Sequence, residues 1–308
     1  MAPYPAESQR SIAADTRDPV GRWPLVWALA VAQLVSWGAI YYSFSLFVVP
    51  MEMELGWSRT AINGALSLGL LSTGLCAYPV GAWIDRHGGR IVMALGSALA
   101  SVVLAIWSQV ESLAAFYVVW ILLGAAMAAT LYEPVFAVLT RLFERSYRTR
   151  ITALTLIGGF ASTVFIPLTQ LFIDWLGWRD ALIALALCNL LIALPVHALL
   201  LRDDRRNDAR SPADVSAAAV SRAALARALR HPVFWGFAVC FIAYYATFSA
   251  LTFHIIPLLV ERGVSTAIII AAVAVIGPAQ VGGRVLLLAA GRSLPTAVVG
   301  RGVVLVFP

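Results

Sequence analysis

Eight apolar runs, each close to the length needed to cross a lipid bilayer, constrain this chain more than any other feature. They lie at approximately 23–49, 60–83, 91–109, 113–140, 151–173, 181–201, 232–258 and 267–290. A helix of about 20 apolar residues spans the hydrocarbon layer. Inside that layer every backbone N–H and C=O needs a partner, which leaves helices or closed barrels. Runs this long predict an all-α transmembrane bundle. Only 12% of the 308 residues are charged, against about 25% in a soluble domain. The polar opening, Met1 to Arg22, holds no apolar stretch of signal-peptide type, so the first helix is expected to stay in the membrane. The fourth run is long enough to tilt or to extend past the bilayer.

The connections divide the arginines unequally. The opening segment carries Arg10, Arg17 and Arg22, the second-to-third loop Arg86 and Arg90, and the fourth-to-fifth loop Arg141, Arg145, Arg148 and Arg150. The sixth-to-seventh loop adds Arg202, Arg205, Arg206, Arg210, Arg222, Arg227 and Arg230, whereas the opposite loops hold only Arg59, Arg179 and Arg262. The positive-inside rule then sets a multi-pass cell-membrane protein with its N-terminus in the cytoplasm. These arginines account for the net charge of +6. No continuous basic face interleaved with aromatics suggests nucleic acid as a partner. Cys76, Cys188 and Cys240 sit singly within apolar runs and read as small buried hydrophobes, with no metal-ligand spacing and no cofactor.

The second-to-third loop is compact: Gly81-Ala82-Trp83-Ile84-Asp85-Arg86-His87-Gly88-Gly89-Arg90. A charge at the bilayer centre costs about 2.5–3.5 kcal/mol on insertion scales, so this is a turn at a membrane surface. Asp85 is expected to pair with an arginine such as Arg141, or to cap a partner helix, which makes the turn a conformational latch.

The chain divides into a tail (1–22), a six-helix bundle (23–201), a central cytoplasmic loop (202–231) and an incomplete second bundle (232–308). In the loop, the Ala-rich tract 217–229 reads as a solvated linker helix or an amphipathic surface helix. Span seven appears as a restart of span one. Pro50, Glu54 and Gly56 are matched in spacing by Pro257, Glu261 and Gly263; Tyr41-Tyr42 by Tyr244-Tyr245; and Gly81 to Arg90 by Gly283 to Arg292. A repeat of six spans predicts twelve in the parent protein and a chain that is C-terminally truncated.

Six plus six helices, the central loop, and Gly81-x-x-x-Asp85-Arg86-x-Gly88-Gly89-Arg90 between spans two and three together resemble the major facilitator superfamily. Gly56-Trp57-Ser58-Arg59, Gly124 with Tyr132 and Pro134, Gly158-Gly159, and Gly177-Trp178-Arg179 resemble its bacterial monocarboxylate porter and oxalate–formate antiporter branch. The resemblance implies two rocking half-bundles around a central site, and secondary transport of a small solute, an organic anion such as a monocarboxylate, driven by a proton or a counter-anion. It also implies that spans one, four, seven and ten line the cavity. Drug–proton antiporters of the superfamily carry an arginine where Trp120 precedes Gly124, so multidrug efflux is disfavoured. Animal monocarboxylate porters carry an aspartate where Gln280 precedes Arg284.

Arg284 is the sharpest substrate candidate: a guanidinium does not lose its charge, so inside a span it must pair, face water or snorkel, and its fork suits a carboxylate. Glu133, beside Pro134, is the proton-coupling candidate or the partner of Arg284 or a neighbouring arginine, and Pro134 is expected to kink the helix. Gln33, Trp37 and Tyr41 share one helical face, and Tyr244, Thr247 and His254 another. Trp37, Tyr41, Gln280 and Tyr244 join Arg284 as expected solute contacts, with interhelical packing as the alternative. No nucleophile elbow, P-loop or zinc motif indicates an enzyme. A non-transporting membrane protein, an inactive fragment or a sensor, is the other functional class.

Overall fold

A computed structural model describes residues 22–143, 146–201, 227 and 229–290. Among them are eight helices long and apolar enough to cross a membrane. They are α1 (Trp23–Leu55), α2 (Arg59–His87), α3 (Arg90–Trp107), α4 (Leu113–Leu142), α5 (Tyr147–Leu176), α6 (Trp178–Leu200), α7 (Pro232–Glu261) and α8, in two pieces, Thr266–Ala274 and Ile276–Ala290. No strand occurs among the described residues. The tail, most of the Ala-rich tract and the Gly291–Arg292 end of the second repeat lie outside them.

The described helices divide into two compact units. One holds α1–α6 with the chain from Ile270 onward; the other runs from Asp203 to Ile269 and contains α7. In the first unit, small residues set the closest approaches. A Cβ at Gly124 would overlap the Gly69 carbonyl, so α2 and α4 cross almost backbone to backbone. Two hydroxyls fasten that crossing: Thr73 donates to the Gly124 carbonyl at 3.0 Å and Ser72 to the Ile121 carbonyl at 2.8 Å.

Two apolar clusters fill the interior. Toward the Gly81–Arg90 end, Val26, Leu29, Ile84, Met93, Val138, Phe143 and Leu154 pack together. Toward the other end, Phe44, Trp107 and Trp120 form an edge-to-face group, Phe44 to Trp120 at 4.8 Å and Trp107 to Trp120 at 5.3 Å. Between them runs a buried polar ladder joining α1, α3 and α6. Ser36 donates to Asn189 Oδ1 (3.0 Å), Asn189 Nδ2 donates to the Ser97 carbonyl (3.0 Å) and to Ser101 Oγ (3.1 Å), and Ser97 Oγ meets His197 Nδ1 (2.7 Å). The α6 backbone is π-helical at Asn189–Ala193 and Val196–Leu200, on either side of Pro195.

The cysteines differ from expectation. Cys76 and Cys188 are half-buried and Cys240 is exposed. They sit on the apolar outer surface of their spans, as do Leu75 and Leu191, where lipid can cover a thiol as well as a protein core can. The repeat has a local counterpart: α1 and α7 each contain a proline, Pro50 and Pro257, and each is followed by a left-handed glycine, Gly56 (φ 67°) and Gly263 (φ 74°).

Candidate functional site

The site is built where α1 and α4 both abandon regular α-helix. In α1, residues Trp37–Tyr42 form a π-helical turn, closed by Ser43 N donating to the Gly38 carbonyl at 3.1 Å. Gly38 allows it: a Cβ there would overlap the Phe165 ring of α5. Such turns are rare and concentrate at functional positions. The α4 span is broken, not merely kinked. It runs as Leu113–Thr130 and Tyr132–Leu142, with Leu131 extended (φ −79°, ψ −154°) between them.

Pro134 explains the break. It has no N–H for the carbonyl four residues back, which is Thr130, and its ring crowds that carbonyl. The freed Thr130 oxygen is taken by α1, where Gln33 Nε2 donates to it at 2.6 Å. Gln33 is fully buried, so its part in this site is to hold the α4 break, and its Oε1 has no partner among the described residues.

One turn along α1, Trp37 meets Tyr41 edge-to-face at 5.1 Å and Tyr132 at 5.0 Å, and Tyr132 stacks on Phe136 at 5.3 Å. The Trp37 indole Nε1 is buried and has no hydrogen-bond partner among the described residues. Tyr41 is only 5% exposed, so its ring serves mainly as packing for Trp37. Glu133 lies in the first turn of Tyr132–Leu142, where a carboxylate is favoured by the helix dipole, and its side chain is exposed. Aromatic faces and a buried indole N–H thus converge on one wall of the first unit, and Glu133 follows Tyr132 in the chain as an accessible carboxylate. This wall can receive a small solute with a polar group and an apolar body.

The other sequence candidates fall elsewhere. Gln280 is half-buried on Ile276–Ala290. Arg284 belongs to the same helix, one turn on, and its side chain lies outside the described residues. Tyr244 is in the second unit, 36% exposed, parallel to the Phe248 ring at 6.4 Å. Thr247 donates to its own helix at Ala243, and His254 is exposed. No cluster of three His, Cys, Asp or Glu side chains able to hold a metal occurs among the described residues.

The Gly81–Arg90 turn works differently from the expected Asp85–Arg141 pair. Arg141 donates to the Ile84 carbonyl instead, and Arg90 Nε donates to the Ala198 carbonyl at 2.7 Å. The last carbonyls of a helix lack intrahelical donors and carry the negative end of its dipole, so they draw cations. Arg90 therefore caps α6, while Arg141 adds a second donor to the Ile84 carbonyl near the end of α2, which also accepts from Gly88 N at 2.9 Å. Asp85 and Arg86 are exposed, and Asp85 has no ion pair among the described residues. Gly88 takes φ 86°, Gly89 meets Val138 so closely that a Cβ would overlap it, and Gly81 has open space around it.

At the opposite end, a clamp emerges that spacing does not reveal. Arg179 binds Glu54 at the end of α1 (2.9 Å) and donates to the Ser108 carbonyl at the end of α3 (2.6 Å), while the Trp178 indole donates to Glu54. The Arg179 guanidinium also lies over the Trp178 ring at 4.4 Å. Arg59 pairs with Glu52 at 2.7 Å nearby. The polar ladder of Asn189 and His197 is likewise missed, although two polar residues inside an apolar run are a signal for it.

Residues 29–307 match the family model for the Major Facilitator Superfamily. The chain belongs to the major facilitator superfamily. Every residue of the α1–α4 wall, with Gln280 and Arg284, lies inside the stretch that matches the superfamily model. Among curated members it is similar to monocarboxylate transporter 11 of Mus musculus, 31% identical over 186 residues, covering 59% of this chain and 41% of the mouse protein. Monocarboxylate transporter 11 of Homo sapiens is 32% identical over 187 residues, covering 59% of this chain and 39% of the human protein. Monocarboxylate transporter 12 of Xenopus laevis is 27% identical over 148 residues, covering 48% and 32% respectively. This major facilitator chain thus spans less than half the length of the relatives it matches.

Proposed function

We propose that this chain acts in secondary active transport of a small organic anion, a monocarboxylate in the first instance, by alternating access. The α1–α4 wall carries the reading: Trp37 and Tyr132 offer apolar ring faces, the Trp37 Nε1, without a partner among the described residues, offers one donor, and Glu133, next to Tyr132 in the chain, is exposed. Similarity to proteins named monocarboxylate transporters supports the solute class. In this scheme Arg284 supplies the permanent cation that a carboxylate needs, Gln280 and Tyr244 add polar contacts, and Tyr41 backs Trp37. Glu133 is the proton carrier, or faces Arg284 when the site is empty; a counter-anion can take the place of the proton in an exchange cycle. The arginine distribution puts the N-terminus and the Gly81–Arg90 turn in the cytoplasm, where Asp85, Arg86 and Arg90 act on the conformational change.

The test is uptake of radiolabelled short monocarboxylates into proteoliposomes holding the chain, with and without an inward proton gradient. Gradient-stimulated uptake that disappears in Arg284→Ala and loses its pH dependence in Glu133→Gln is the expected result. Absence of carboxylate uptake under all gradients overturns the proposal.

A further inference from the structure

The break in α4 has a counterpart in α8, and the residue that holds it open comes from α5. The α8 helix is interrupted at Val275, between Thr266–Ala274 and Ile276–Ala290. Pro278 sits in the first turn of the second piece and has no N–H for the carbonyl four residues back, that of Ala274. The Ala274 oxygen is taken from outside: Thr163 Oγ1 of α5 donates to it at 2.7 Å. Thr130 and Thr247, by contrast, donate to the carbonyl four residues back in their own helix, Ala126 (2.7 Å) and Ala243 (3.0 Å). A hydroxyl has one proton to donate, and Thr163 directs its proton to α8.

The neighbourhood is shaped for that contact. A Cβ at Gly277 would overlap Thr163 Oγ1 and would stand 3.0 Å from the Gly159 carbonyl, so only glycine lets the two helices approach here. The piece of α8 beyond the break carries Gln280 and Arg284 within its first turns. Its direction depends on the backbone at 274–278, where, among the described residues, the side chain bonded from another helix is that of Thr163.

We propose that Thr163 is a positioning residue: by occupying the carbonyl that Pro278 leaves free, it fixes the angle of the α8 break and thereby the placement of Gln280 and Arg284. The structural claim stands apart from transport, and only the solute arm of the test rests on the function proposed above. Pro278→Ala returns an N–H to position 278, so in that background the Ala274 carbonyl regains a partner within its own helix and Thr163 becomes dispensable.

The experiment is a double-mutant cycle read by thiol labelling. In the full chain, with Cys76, Cys188 and Cys240 replaced by serine, Gln280→Cys reports on the segment through its rate of reaction with a membrane-impermeant methanethiosulfonate. Thr163→Val is expected to change that rate by about fivefold, the population change made by one hydrogen bond of ordinary net strength. Thr163→Ser keeps the donor and should retain the parental rate. Thr163→Val placed in Pro278→Ala should have little further effect, so the two changes are not additive. An unchanged rate in Thr163→Val, or the same change with and without Pro278, overturns the proposal. In the uptake assay Thr163→Val should raise the KM for monocarboxylate and Thr163→Ser should not. Failure of the wild-type chain to take up solute removes the transport reading but leaves the labelling result to decide on Thr163.

Discussion

At the scale of single residues, glycine separates packing from signature. Gly124 and Gly81 both belong to patterns that identify the family, yet their surroundings are opposite. A methyl at Gly124 meets the Gly69 carbonyl and Ser72, whereas a methyl at Gly81 meets nothing within 4 Å. Overpacking at a close helix crossing costs about 1–3 kcal/mol. Gly124→Ala should therefore lower the thermal midpoint of the purified protein in detergent by several degrees, while Gly81→Ala leaves it unchanged. Equal midpoints for the two variants would show that α2 and α4 do not approach as closely as described. The arginines divide in the same way. Arg90, Arg141 and Arg179 each reach a carbonyl at a helix end, whereas Arg86, within the same motif as Arg90, is exposed.

At the scale of elements, one device recurs. Prolines interrupt α4 and α8, and each freed carbonyl is met by a side chain of another span, Gln33 for Thr130 and Thr163 for Ala274. Gln33→Leu should destabilise the first unit by about 1 kcal/mol. The gain from removing the unpartnered Oε1 partly offsets the loss of the bond to Thr130. In a Pro134→Ala background the helix supplies its own donor, and the same substitution should cost much less in thermal midpoint. If the cost is equal in both backgrounds, the Gln33–Thr130 bond is not what holds the break. The sequence marks half of this device. Pro134 and Pro278 announce that a carbonyl is lost, because the rule is local. The identity of the replacement donor depends on which helices cross at that depth, and neither Gln33 nor Thr163 differs in spacing from residues that do nothing of the kind. The π-turn at Trp37–Tyr42 is hidden too: it sits where Phe165 packs against Gly38, a contact that local spacing does not reveal.

At the scale of the whole molecule, the eight spans are legible from hydropathy alone, since the bilayer imposes length and apolarity regardless of neighbours. The structure shifts their ends by a few residues and reveals breaks inside them. The candidate site is less legible. Trp37, Tyr41 and Glu133 are prominent as polar or amphipathic groups in apolar runs, but Tyr132, which joins α4 to Trp37, looks like any interfacial tyrosine. The clamp at Arg179 reads in sequence as a family pattern, and its purpose depends on three helix ends meeting. Orientation is a property of the whole chain and has a direct test. In the background lacking native cysteines, Glu111→Cys between α3 and α4 should react with an impermeant thiol reagent added outside intact cells. Arg86→Cys should react only after the cells are opened. The reverse pattern would invert the topology inferred from the arginines.

The ladder through Ser36, Ser97, Ser101, Asn189 and His197 bears on how such a chain is made. α6 emerges from the ribosome after α1 and α3, and among the described residues its Asn189 and His197 side chains find their partners on those earlier helices. A polar group facing hydrocarbon is expensive until it is bonded. The last span of the first bundle has the highest mean hydropathy of the eight and so enters lipid readily, but its two buried polar side chains are bonded once α1 and α3 lie beside it, so its docking reports that α1 and α3 are already side by side. A faulty early helix would then be registered at the sixth, as a span that enters the bilayer but does not dock, its polar groups left unbonded and open to quality control.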